Sequence, residues 1–193
     1  FHQIVAEMAE IPREQAKTIN LGLFYGMGKN KLQAELGINK EKAEELFKQY
    51  HSRVPFVKQL MENVMQRAQS RGRIRTLLGR LCRFHLWEPN QFGIHKPLPH
   101  DAALEEHGPG IKRAYTYKAL NRLIQGSAAD MTKKAMIELH KEGITPHIQV
   151  HDELDVSVDN NADKIKQIME EAVDLEVPNK VDYESGPSWG QIK

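Results

Sequence analysis

The chain has 193 residues, 27 Lys and Arg against 26 Asp and Glu, a net charge of +1 and one cysteine, Cys82. That length suits one domain or two small lobes. The balanced charge excludes recruitment of a polyanion by a global positive field, so any nucleic-acid surface must be local. One cysteine excludes an internal disulfide and fits a reducing compartment. No stretch is long and apolar enough to span a membrane and no signal peptide is visible, so the expectation is a cytoplasmic protein without a membrane partner.

The chain opens at Phe1 in helical sequence with no initiating Met, as a fragment would. A helix is expected over 2–10. Pro12 then opens a second helix in its first turn, where proline is tolerated, and this helix runs over about 12–25. Gly26 can take the left-handed conformation that ends it. Short helices follow over Lys29–Leu36 and 40–50. Ser52 can cap a longer helix with Pro55 in its first turn. The apolar stripe of that helix is Leu60, Met61, Val64, Met65 and Ala68, and Gly72 stops it. Residues 73–77 and 81–84 read as a hairpin around Leu78, Gly79 and Arg80.

Residues 88–110 lack periodicity and hold Pro89, Pro97, Pro99 and Pro109, so a long loop is expected there. A helix over 111–142 follows, with Leu120, Leu123, Ile124, Met131, Ala135 and Leu139 as its buried stripe, loosened at Gly126 and stopped by Gly143. Ile148, Val150, Leu154, Val156 and Val158 make two alternating runs that meet at His151, Asp152 and Glu153, which reads as a hairpin with acids at its tip. Asn160 or Asn161 caps a helix through Asp174 buried by Ile165, Ile168, Met169 and Val173, and 180–185 is a last strand. The fold class is α+β, mostly helical with a partial antiparallel sheet.

Three constellations carry chemistry. On the helix over 12–25, Arg13, Lys17 and Leu21 are successive i, i+4 neighbours, so two cations stand one turn apart on one face. That suits a chain of phosphates, with Arg gripping one group in a fork and Lys placing a point charge on the next. Tyr25, at the helix end, offers a flat face to a base. By itself such a pattern is more often a solvated charged face. Asp152 and Glu153 supply the carboxylate oxygens that hard divalent cations take, although Asp favours turns for its own reasons. Asn121 and Gln125 project two amides from one helical face. They also read as surface residues or as members of a buried network.

Arg71, Arg73 and Arg75 alternate on a strand and share a face, with Arg80 and Arg83 beyond them, as phosphate contacts or a solvated face. Cys82, His85, His95, His100 and His107 gather around the 88–110 loop and raise zinc. No repeated ligand pairs complete a tetrahedral site, and the histidines read as surface residues.

The pattern Arg13-x3-Lys17-x7-Tyr25-Gly26 resembles motif B of family A DNA polymerases, the helix of the fingers that binds the incoming deoxynucleoside triphosphate. His151, Asp152 and Glu153 resemble motif C of the same family, where the Asp holds catalytic magnesium. The stretch 117–130, Tyr-Lys-Ala-Leu-Asn-Arg-Leu-Ile-Gln-Gly-Ser-Ala-Ala-Asp, resembles the palm helix between them. The close at 186–190, Gly-Pro-Ser-Trp-Gly, looks like the family's C-terminus. The His2-to-Arg13 spacing and the wording of 117–126 look more phage-like than bacterial.

The resemblance implies fingers over 1–110, with the Arg-rich hairpin at 73–84 and the loop at 88–110, and the C-terminal part of the palm over 111–193. It implies template-directed DNA synthesis, with deoxynucleoside triphosphates and primer-template DNA as partners. His2, Arg13, Lys17, Leu21 and Tyr25 would meet the nucleotide. Asn121, Gln125, His151, Arg73 and Arg75 would meet DNA. Asp152 and Glu153 would bind Mg2+ in a two-metal site, and Lys17 would protonate the leaving pyrophosphate.

Two departures stand out. Motif A, which carries the family's other essential Asp, belongs before the fingers and is absent here. Asp182-Tyr-Glu-Ser looks similar but stands at the wrong end of the order. The chain alone is therefore expected to be inactive and to need the missing N-terminal portion of the polymerase. Leu21 stands where the family usually has Phe or Tyr. The rival is a non-catalytic nucleotide- or nucleic-acid-binding module, or one half of a split polymerase. A metal-dependent hydrolase is remote, because His-Asp-Glu has no second ligand cluster.

Overall fold

Apolar side chains at helical spacing dictate the first third of the chain. The computed structural model describes residues 2–91, 93–158 and 161–192, with the backbone alone at 2, 4, 8 and 9. Helices α1 (His2–Ala9), α2 (Arg13–Phe24), α3 (Lys29–Leu36), α4 (Lys40–Arg53) and α5 (Pro55–Arg71) follow one another. Val5, Ala6, Ala16, Ile19, Leu23, Leu32, Leu46, Tyr50, Val54 and Val57 form their shared core. Positive φ angles of 89°, 65° and 76° at Gly26, Gly72 and Gly143 mark the helix ends where glycine was expected.

Ser52 is not a cap. α4 continues to Arg53, and the Ser52 hydroxyl donates to the Gln49 carbonyl inside the last turn, at 2.8 Å. The break comes at Val54, with φ −131° and ψ 59°. A residue before proline is pushed out of the α region, so Pro55 sets the boundary.

Strands β1 (Arg73–Arg75) and β2 (Leu81–Arg83) pair as a hairpin. Residues 88–110 are not one loop. β3 (Leu86–Pro89) pairs antiparallel with both β4 (Leu98–Pro99) and β5 (Ile111–Arg113), and α6 (His100–His107) lies between the last two in sequence. The prolines that looked like breakers include the last residues of β3 and β4, so they bound strands rather than interrupt them. β5 also displaces the first part of the helix expected over 111–142. Tyr115 is left-handed, with φ 61°, a short 3-10 turn covers Thr116–Lys118, and α7 runs over Ala119–Lys141 without a break at Gly126.

β6 (Ile148–Val150) and β7 (Glu153–Asp155) form the second expected hairpin, with Ile148 opposite Asp155 and Val150 opposite Glu153. Val156 and Val158 lie beyond its ladder. α8 (Ala162–Glu171) is shorter than expected, with Asn161 at its N-cap position; Asn160 lies outside the described residues. Residues 180–185 form no strand. Glu170 holds them instead, accepting the Val181 amide at 3.0 Å and facing Lys180 at 3.3 Å.

The fold is α+β, mostly helical with small antiparallel sheets. It divides into two units, Phe1–Ile74 with Leu81–Leu123, and Arg75–Arg80 with Ile124–Lys193. In the first, a second cluster of Val64, Ala68, Ile74, Phe84 and Ala119 joins α5, the hairpin base and the start of α7. Arg113 secures it, donating to the carbonyls of Gln69 at 3.1 Å and Phe84 at 2.8 Å while its guanidinium covers Trp87.

Candidate functional site

In α2 the buried residues are Ala16, Ile19, Asn20 and Leu23. Their spacing seats one face of the helix in the core, so Arg13, Lys17 and Leu21 are turned outward. Arg13 and Lys17 are exposed, and among the described residues neither forms an ion pair or hydrogen bond. Two exposed cations one turn apart present charge-assisted hydrogen-bond donors of the kind that anionic oxygens accept. His2 lies on α1, which packs on α2; its side chain is outside the described residues.

At the C-terminal end of this face, the Tyr25 amide bonds the Leu21 carbonyl at 3.0 Å and the Gly26 amide bonds that of Leu23 at 3.1 Å. Asn20, Leu21, Phe24, Tyr25 and Phe56 line a pocket of about 300 Å³ there. The Phe24 and Tyr25 rings meet edge to face, with centroids 5.4 Å apart. Phe56 is 58% exposed although it is a large aromatic. The site thus grades along one helix from cationic to aromatic, the order in which a nucleotide presents phosphate and base. Asn20, Phe24 and Phe56 were not legible as site residues. The one available signal for Phe56 was an aromatic directly after the helix-opening Pro55.

The second unit holds the acidic tip. His151, with φ 56°, occupies the first central position of the two-residue turn between β6 and β7. Glycine is the usual occupant of a left-handed position there. Its carbonyl accepts from Gln149 Nε2 at 2.8 Å. Asp152 and Glu153 follow, both exposed. Their carboxylates are the donor type magnesium takes, but the ion demands a near-octahedral oxygen set. Among the described residues no group of three or more His, Cys, Asp or Glu side chains could hold a metal ion. Among the described residues Asp152 and Glu153 are therefore an incomplete donor set.

On α7, Asn121 and Gln125 are both exposed. Arg73 and Arg75 are exposed on either side of buried Ile74, but Arg71, expected on the same strand, is the last residue of α5, because the helix runs on until Gly72 stops it in the left-handed conformation. Arg75 also donates to the Gly79 carbonyl at 2.8 Å, tying it to its own turn.

A network around Asp130 was missed. This carboxylate is only 7% exposed. It accepts hydrogen bonds from the Thr76 hydroxyl and from Arg80 Nε, at 2.6 Å. Burial alone would push the Asp130 carboxyl up, but the bonds from Thr76 and Arg80 and the charge of Arg80 hold it below its ordinary value.

Residues 1–191 match the family model of DNA polymerase family A. The chain is 35% identical to a DNA-directed DNA polymerase of Pseudomonas phage M6, aligning over 98% of its own length and 31% of that protein's. It is 33% identical to DNA polymerase I of Geobacillus stearothermophilus, over all of this chain and 21% of that protein. Among solved structures it is similar to the POL domain of Pol1 from M. smegmatis in complex with DNA primer-template and dNTP, with a TM-score of 0.66 and 28% identity, covering 92% of this chain and 32% of that one. The chain therefore spans about a fifth to a third of the length of these relatives. A match that takes in nearly every residue, on a fold carrying the cationic helix and the acidic hairpin, leads to one conclusion: this chain belongs to DNA polymerase family A.

Proposed function

We propose that this chain supplies the nucleotide-binding fingers and the motif C part of the palm to a polymerase that performs template-directed DNA synthesis. The observation that carries this is the outward face of α2, where Arg13 and Lys17, exposed and without an ion pair among the described residues, lead into the aromatic pocket at Leu21 and Tyr25. Arg13 grips a phosphate in its fork. Lys17 neutralises charge as it builds on the triphosphate and donates a proton to the leaving pyrophosphate. His2 approaches the same phosphates. Tyr25 packs at the templating base, and Leu21 gives the sugar an apolar contact without an aromatic ring.

Asn121 and Gln125 test base-pair shape from the minor groove, where acceptors lie at similar places in every correct pair. His151 holds the primer end, and Arg73 and Arg75 contact phosphates. Asp152, with Glu153 in support, would hold Mg2+ jointly with a carboxylate from the motif A segment of the same polymerase. The ion would supply Lewis-acid activation of the primer hydroxyl and charge stabilisation at the pyrophosphate.

The incomplete carboxylate set favours a second reading, a nucleotide-binding module or one half of a split polymerase. Primer extension with the motif A portion supplied in trans separates the two. Product that disappears with Asp152→Ala upholds the catalytic assignment. No product, while a photoreactive deoxynucleoside triphosphate still crosslinks near Lys17, upholds the binding module.

A further inference from the structure

Asp130 grips a hairpin tip from across 54 residues of sequence. Besides its bonds to Thr76 and Arg80, the same guanidinium donates Nη2 to the Gly126 carbonyl at 2.8 Å. One turn along the tip, the Leu77 amide donates to Ser127 Oγ at 2.9 Å. Within the tip the Thr76 amide bonds the Arg80 carbonyl at 3.0 Å, and the Arg80 amide returns a bond to Thr76 Oγ1 at 3.0 Å. The Thr76 hydroxyl is thus both donor to Asp130 and acceptor from Arg80.

Only glycine fits at 126. A Cβ there would stand 2.9 Å from Thr76 Cγ2 and 3.3 Å from Arg80 Nη2. Glycine costs a helix about 1 kcal/mol relative to alanine, so α7 is intrinsically weak at this turn, and the Arg80 bond lands on that weak point. Gln125 is the neighbouring residue, exposed. The other side of the clamp carries Arg75, also exposed and itself tied to Gly79.

We infer that Asp130 is a positioning residue: through Thr76 and Arg80 it locks the 75–80 tip onto the α7 turn behind Gln125, so that Arg75 and the Gln125 amide meet duplex DNA as one rigid surface. The inference rests on the polymerase reading of this chain. An amide that tests base-pair shape discriminates only if it cannot follow a misplaced acceptor, and rigidity behind Gln125 supplies that constraint.

The test uses Asp130→Asn and Gly126→Ala in the polymerase polypeptide that contains this chain. One removes the charge and the other wedges the tip away while leaving every polar partner in place. Two quantities are measured, the rate of primer extension from matched against mismatched primer ends, and amide exchange at Leu77 and Arg80. Both variants are expected to speed exchange at Leu77 and Arg80 and to lower the matched-to-mismatched ratio by about tenfold, with KM for the correct triphosphate unchanged. Faster exchange with an unchanged ratio would mean the clamp only stabilises the fold, and would overturn the inference. A parent protein that extends no primer at all would instead overturn the polymerase reading, and this inference with it.

Discussion

Leu21 on α2 and Phe56 on α5 line the same pocket of about 300 Å³. The family's usual ring at position 21 is missing, and the neighbouring helix brings an aromatic to the same cavity. Base–aromatic stacking is worth roughly 1–3 kcal/mol per base. Phe56→Ala should therefore weaken deoxynucleoside triphosphate or template binding by about tenfold or more. Because Phe56 is 58% exposed, the unfolding free energy should shift by no more than about 0.5 kcal/mol. Titration calorimetry beside urea denaturation checks both halves. Unchanged affinity would remove Phe56 from the site.

Arg80→Ala leaves Asp130 buried with Thr76 as its remaining donor in the clamp, and should cost about 1–3 kcal/mol. The pH dependence follows from the depressed Asp130 carboxyl. A folded-state value below the unfolded one gives stability that is fully present above the ordinary carboxylate range and is lost as pH falls from that range through the depressed folded value. Denaturation midpoints measured from pH 7 to 3 should fall less steeply in Arg80→Ala than in the parent. Parallel curves would sink this account.

Tyr50 buries a hydroxyl with no hydrogen-bond partner among the described residues, and burial pushes its pKa up from 10.0 to about 12. Tyr50→Phe removes an unsatisfied polar atom at nearly constant shape, so stability should hold or rise by about 1 kcal/mol. With a raised folded value, the neutral tyrosine contributes stability below pH 10 that disappears as pH climbs towards about 12. Tyr50→Phe should lose that alkaline sensitivity, which thermal melts between pH 8 and 12 would reveal.

His151 holds a left-handed backbone at φ 56°, a conformation that costs a non-glycine residue about 1–2 kcal/mol. Strain of this kind persists where a side chain is needed. His151→Gly should stabilise the hairpin by up to about 1 kcal/mol while slowing primer extension in the assembled polymerase. A variant both more stable and equally fast would show that the imidazole has no role at the primer end.

Local periodicity determined much of this protein. Arg13, Lys17 and Leu21 follow one another at i, i+4 between Pro12 and Gly26, so α2 and the shared face of its cations could be read from the chain, and alternation around His151 and Asp152 disclosed the acidic hairpin. These features depend on neighbours within a few residues, where backbone geometry alone decides which side chains share a face. The sheet of β3, β4 and β5 was not legible, because Trp87 pairs with both Leu98 and Arg113, and three short strands leave no period to detect. Ser52 failed as a cap because the steric demand of Pro55 outweighed a side-chain preference. The pocket closed by Phe56 and the clamp from Asp130 to Thr76 and Arg80 were settled by tertiary structure alone. Each joins residues far apart in sequence: burial in the folded chain makes the Asp130 carboxylate depend on its partners, and the packing of two helices brings the exposed Phe56 ring to the pocket beside Leu21.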